Sequence, residues 1–237
     1  MLPLLQVFEK TRIIAELPEV LPLREETYTM FLIGILSLSF FLISLSRSNN
    51  SNAIQSVAEV FFRDSSSVEV YLNENMKIGS LSSLALMINY FISFSLCNFI
   101  FFHRILLVRD DLSMFLSFLI PLILFGIETL GLYLAGILSG EMKRLHVPVL
   151  NALTVAQFTG LLFSIIALFW IMNPNTDKLF LSLFLGMISL KTVARVLKNS
   201  INVLSSGVRW YYLILYFCTL EILPLFVGAY YVVRNFI

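Results

Sequence analysis

Six apolar runs, each about as long as a bilayer is thick, constrain this chain more than any other feature. A helix rises about 1.5 Å per residue, so roughly 20 apolar residues cross about 30 Å of hydrocarbon. The runs are Tyr28–Ser46, Gly79–Phe102, Leu112–Ser139, Leu150–Met172, Leu179–Leu204 and Val208–Val233. They lack the alternation of membrane-barrel strands and are about twice as long. Apolar residues make up 58% of the chain and charged ones 13%, against about 25% charged for a soluble domain. That excludes a water-soluble globule, a nucleic-acid binder and a disordered chain. The expected fold is an all-α integral membrane bundle of about six transmembrane helices over residues 28–237, behind a tail of residues 1–27.

The tail holds Pro3, Pro18 and Pro22 and no basic segment leading into an apolar core, so it is not expected to act as a cleavable signal. Between the first two runs lies the segment 47–78. Within it Ile54, Val57, Ala58 and Phe61 recur at helical spacing, with Gln55, Ser56 and Glu59 opposite. This predicts a short amphipathic helix lying in the bilayer interface. Basic residues near the run ends number nine on the side of the odd-numbered loops and seven on the other. The tail adds five acids to three bases. Both observations put the termini outside the cytoplasm and segment 47–78 inside.

Few residues point to chemistry. The chain contains no G-x-S-x-G elbow, H-E-x-x-H pair, phosphate loop or dinucleotide fingerprint. His103 and His146 fall at opposite membrane faces and cannot share a metal. Cys97 and Cys218 sit in apolar runs and are read as packing residues. The last run has no lysine for a retinal-type chromophore. No cofactor, metal or catalytic residue is expected.

Charges inside apolar runs carry more information, because a charge in hydrocarbon must be paired, neutralised or turned into the bundle. Glu221 and Glu128 lie about 20 and 17 Å from the inner ends of their runs, and Asn89 about 15 Å deep. These three are expected to meet near the midplane. Lys191, Arg195 and Lys198 share one face of the fifth run. If that helix continues to Leu204 and turns at Ser205-Ser206-Gly207, Lys191 is level with Glu221. If it leaves the membrane near Lys198, the face is a snorkelling stripe at the headgroups. Pro224, three residues after Glu221, introduces a kink and frees a carbonyl near Leu220. The cluster Asn89, Glu128, Lys191 and Glu221 has three readings: packing hydrogen bonds, an ion or proton path, or a site for a partner helix or lipid.

Gly136 and Gly140 form a G-x-x-x-G, and Gly126 and Gly131 precede them in the same run. The third helix is therefore expected to make the closest helix contacts. Aromatics near run ends, among them Phe101, Phe102, Trp170 and Trp210, read as interface belts.

The string Tyr211-Tyr212-Leu213-Ile214-Leu215-Tyr216-Phe217-Cys218-Thr219-Leu220-Glu221-Ile222-Leu223-Pro224-Leu225 resembles the C-terminal signature of a multi-pass family of Bacteroidota. That family is catalogued only as a domain of unknown function, number 4271. The basic helix with Lys191, Arg195 and Lys198, and Glu74-Asn75 ahead of the second run, are similar too. The resemblance covers residues 28–237, with Leu220–Pro224 as its specific core. It implies an inner-membrane protein without assigned enzyme activity, in a lineage rich in envelope and secretion machinery.

The expected function is a non-enzymatic inner-membrane protein that scaffolds or assists an envelope complex. Its partners would be the lipid bilayer and other membrane proteins or further copies of itself, not nucleic acid. The alternative is a small ion- or proton-coupled transporter or channel built on Glu128 and Glu221. An intramembrane enzyme acting on lipid lacks a nameable nucleophile–base pair.

Overall fold

The computed structural model describes residues 22–62, 80–106, 110–139 and 146–205. Every regular element among them is helical. Glu221, Pro224, Cys218 and the sixth apolar run lie outside the described residues, as do Glu74 and Asn75.

Helix α1 spans Pro22–Asn49, so it starts ahead of the expected Tyr28, and the boundary drawn at residue 27 falls inside a helix. Proline is pre-set for a first helical position. A short turn follows, in which Asn50 Oδ1 accepts from the Asn52 amide at 3.1 Å. Helix α2, Ala53–Phe62, docks on the bundle instead of floating beside it. Its fully buried face is Ala53, Val57 and Val60, set against Leu86 and Leu150. The Phe61 ring stacks on Phe158 with centroids 4.3 Å apart. This corrects the predicted face. Ile54, Ala58 and Phe61 are only half-buried, and Ser56, expected on the polar side, is buried. Close docking on a bundle selects the small side chains inward, while the larger apolar ones cover the flanks.

Helix α3, Leu81–Ile100, opens at Ser80, whose hydroxyl accepts from the Ser83 amide. It continues through a π-helical turn, Phe101–Ile105. Helix α4 spans Asp110–Ser139 with Pro121 inside it, and α5 spans His146–Met172. A 3-10 turn, Pro174–Thr176, leads into α6, Asp177–Ser205. The central helix is α3, which packs on α1 and α4 and most extensively on α5, while α6 packs on α5. Ser46 at the end of α1 bonds Ser82 at the start of α3, and Arg104 after α3 bonds Trp170 at the end of α5. The α1–α2 turn and the α5–α6 turn therefore sit at opposite ends of the bundle.

Four helices are long and apolar enough to cross a membrane, over Thr29–Asn49, Leu81–Ile105, Leu112–Tyr133 and Val149–Met172. Helix α6 has the length, but Lys191, Arg195 and Lys198 dilute its apolar character. The described residues thus contain four such spans where six were expected along the whole chain. Their interior is mixed in polarity, with Leu86, Phe94, Phe163 and Trp170 buried alongside hydroxyl and amide side chains. The enclosed helix α3 buries Ser82, Ser83, Asn89, Ser93, Ser95 and Asn98, while Phe41, Phe115, Leu122 and Leu130 of the outer helices are exposed. Lipid is as apolar as leucine, so burial of Leu and Phe contributes little to holding such helices together. Close fit and hydrogen bonds do that instead.

Among the four glycines whose surroundings are described, the closest fit is at Gly160 of α5. A Cβ there would stand 2.6 Å from Tyr90 Cα and 2.8 Å from Tyr90 Cβ. The expectation that the third run, now α4, makes the closest contacts rests chiefly on Gly136 and Gly140. A Cβ on Gly126 would meet nothing within 4 Å, and the surroundings of Gly136 and Gly140 lie outside the described residues.

Candidate functional site

The polar side chains of the bundle fall into two groups, separated by the rotation between neighbouring residues of α3. Asn89 and Tyr90 are adjacent, so they point about 100° apart around the helix. Asn89 faces α1 and α5. Its Oδ1 accepts from Ser39 Oγ at 2.6 Å, and its Nδ2 donates to Ser164 Oγ at 3.3 Å. Ser39, Ser93 and Ser164 also bond one another at 2.7 to 3.1 Å. All four residues are buried, and together they join three helices. Nearer the α1–α2 turn, Gln157 Nε2 donates to Ser83 Oγ at 2.8 Å, and Asn49 Nδ2 donates to Ser82 Oγ at 3.0 Å. These small groups let the backbones approach and then hold the helices in register.

Tyr90 faces the charged group. Lys191 Nζ donates to the Tyr90 hydroxyl at 2.7 Å and to Glu128 Oε1 at 3.2 Å. The other carboxylate oxygen, Glu128 Oε2, meets Arg195 Nη1 at 2.9 Å. Arg195 Nη2 also donates to the Glu128 carbonyl at 3.2 Å, so the guanidinium holds both the side chain and the backbone of α4. Lys191 and Arg195 are 5% and 3% exposed, while the Glu128 side chain is 21% exposed. Among the described residues, helices α4 and α6 make little close backbone contact, and these long side chains bridge them.

The expected midplane cluster is therefore divided. Asn89 joins a neutral serine group, and Glu128 joins the cations of α6, with Tyr90 as the contribution of α3. Lys191, which the sequence set level with Glu221, bonds Glu128 and Tyr90. Helix α6 runs unbroken to Ser205, and Lys191 and Arg195 turn inward, so neither belongs to a snorkelling stripe. The side chain of Lys198 lies outside the described residues. Tyr90 was not singled out from the sequence, although a tyrosine in mid-run has a hydroxyl that needs a partner. Ser39, Ser93, Ser164 and Gln157 carried the same unread signal.

Other candidates have structural settings. Trp170, assigned to an interface belt, is fully buried, and its indole N–H donates to Asp177 Oδ1 at 2.8 Å. Arg104 stands 3.7 Å from the same oxygen. His103 stacks on Phe99 at 5.5 Å, while the His146 side chain lies outside the described residues. Buried Cys97 donates to the Phe163 carbonyl at 3.6 Å.

Long apolar helices joined by interior polar bonds give this fold the character of a polytopic helical membrane protein. The chain belongs to the family described as Domain of unknown function (DUF4271), whose pattern matches residues 32–232. That match includes the Leu220–Pro224 core of the resemblance. Neither a curated protein nor a solved structure matches the chain.

Proposed function

We propose that this protein is a non-enzymatic component of a bacterial inner membrane that scaffolds or assists an envelope complex. The observation supporting this reading is the engagement of Glu128. Both of its oxygens and its backbone carbonyl accept from α6, so the group ties helices together. A carboxylate relaying ions or protons would have to exchange those partners in every cycle. A fixed bundle whose outer surface is apolar suits a protein that positions neighbours in the membrane. The competing reading, a small ion- or proton-coupled transporter, predicts activity of the isolated chain. Purification from its native membrane in mild detergent separates the two. Stoichiometric co-purifying subunits are expected. A monodisperse protein that drives ion flux in liposomes would overturn the scaffold reading.

In this proposal the chain crosses the membrane six times, with both termini in the periplasm and segment 47–78 in the cytoplasm. The basic-residue balance and the acidic tail support it. Ser51 and Asn175, both exposed, lie in the turns at opposite ends of the bundle. With an impermeant maleimide on intact cells, Asn175→Cys is expected to label and Ser51→Cys to stay protected. The reverse pattern would invert the topology.

A further inference from the structure

Four side-chain oxygens converge where α1, α3 and α5 meet: Ser39 Oγ, Asn89 Oδ1, Ser93 Oγ and Ser164 Oγ. Each lies within 3.4 Å of the other three, and none of their residues is more than 1% exposed. The group has more contacts than protons. At 2.6 Å the Ser39–Asn89 contact has the length of an O–H···O bond, so Asn89 presents its oxygen and takes the Ser39 proton. The Ser93 and Ser164 protons then remain for four contacts. Three are between serine oxygens, at 2.7 to 3.1 Å, and one runs from Ser164 to the Gly160 carbonyl at 2.9 Å. Two of the four have no proton of their own, and they press lone pairs together away from bulk water.

The surroundings are one-sided. Seven residues from Ser39, Asn89 and Ser164, on the same helix faces, stand Ser46, Ser82 and Gln157. These are also buried and bond between the same helices, forming a second polar layer about 10 Å nearer the α1–α2 turn. In the other direction the same faces carry Leu32, Leu36, Cys97 and Ala167, all part of the buried apolar core. A polar seam thus reaches the four oxygens from one end of the bundle and stops there.

We propose that the four oxygens bind one monovalent cation, sodium in preference to potassium. Hard cations take oxygen ligands, and neutral oxygens can replace a hydration shell inside a membrane protein. A cation at the centre removes the proton shortage. Each hydroxyl turns a lone pair inward, as Ser164 does while its proton goes to the Gly160 carbonyl. The group contains no acid, which suits a single positive charge, and its close spacing favours the smaller ion. The apolar closure beyond the site makes the ion a resident tie between three helices, whether or not the protein is a scaffold.

The test uses the full chain in mild detergent, in sodium, potassium or choline chloride at equal ionic strength. Sodium is expected to raise the thermal unfolding midpoint by several degrees and saturably, as a ligand of the folded state does. Potassium and choline should do little. Ser39→Ala and Ser93→Ala each remove one ligand and should abolish the sodium increment, whereas Ser117→Ala, on α4, should keep it. Equilibrium binding of radioactive sodium to the wild-type chain covers the case in which a variant does not fold. One ion per chain is expected, displaced by unlabelled sodium and not by potassium. Equal midpoints in the three salts would overturn the proposal, as would an absence of bound sodium or equal displacement by potassium. A sodium increment that survives in Ser39→Ala and Ser93→Ala would place the ion elsewhere and overturn it too.

Discussion

Glu128→Leu is expected to be among the most damaging single substitutions in the bundle, lowering stability by roughly 3–5 kcal/mol, the usual range when one partner of a buried ion pair is removed. Two nearly buried cations, Lys191 and Arg195, would lose the carboxylate they share. Neutral hydrogen bonds between membrane helices contribute less, about 0.6 kcal/mol on average. Loss of charge pairing therefore outweighs loss of the Asn89–Ser39 bond. Glu128→Gln keeps an acceptor and the side-chain shape, and should fall between leucine and wild type. Thermal unfolding in mild detergent, followed by loss of the monodisperse peak, gives the ranking. Wild-type stability of Glu128→Leu would show that the pair contributes nothing to holding α4 on α6.

Gly160→Ala is the second large effect. The added methyl would meet Tyr90 backbone at 2.6 Å, and backbone cannot rotate away as a side chain can. Overpacking of this kind costs about 1–3 kcal/mol, and Gly160→Val should exceed that. The displacement would also reach the charged group, because pushing α3 from α5 moves the Tyr90 hydroxyl relative to Lys191. Gly126→Ala is the control. With open space around it and alanine favoured over glycine in a helix, it should leave stability within about 0.5 kcal/mol. Equal losses at the two glycines would contradict the close approach at Gly160.

Residues with a large physical penalty in the wrong solvent were legible in the sequence. Runs of spanning length identified the four long apolar helices. Charges inside runs drew attention to Glu128 and Lys191, and helical spacing put Lys191 and Arg195 on one face. Helix rotation was not legible, because depth along an axis says nothing about direction around it. Asn89 and Glu128 were placed at similar depth, yet Asn89 turns to Ser39 and Ser164 while its neighbour Tyr90 turns to Lys191. A single glycine is ambiguous for a related reason. Gly126 and Gly160 look alike in a sequence, and only the neighbour across the gap separates a close contact from an open face. Trp170 shows a third gap: a tryptophan at a helix end reads as a belt residue until the following turn supplies Asp177.

The account rests on buried polar groups acting as fixed ties between helices, and the coupling between Glu128 and Arg195 tests that most directly. Unfolding free energies of wild type, Glu128→Gln, Arg195→Gln and the double variant form a cycle that isolates the pair. A coupling of about 1 kcal/mol or more is predicted, within the range for residues sharing an ion-pair network. Losses that add to within about 0.3–0.5 kcal/mol, as distant independent sites do, would contradict it.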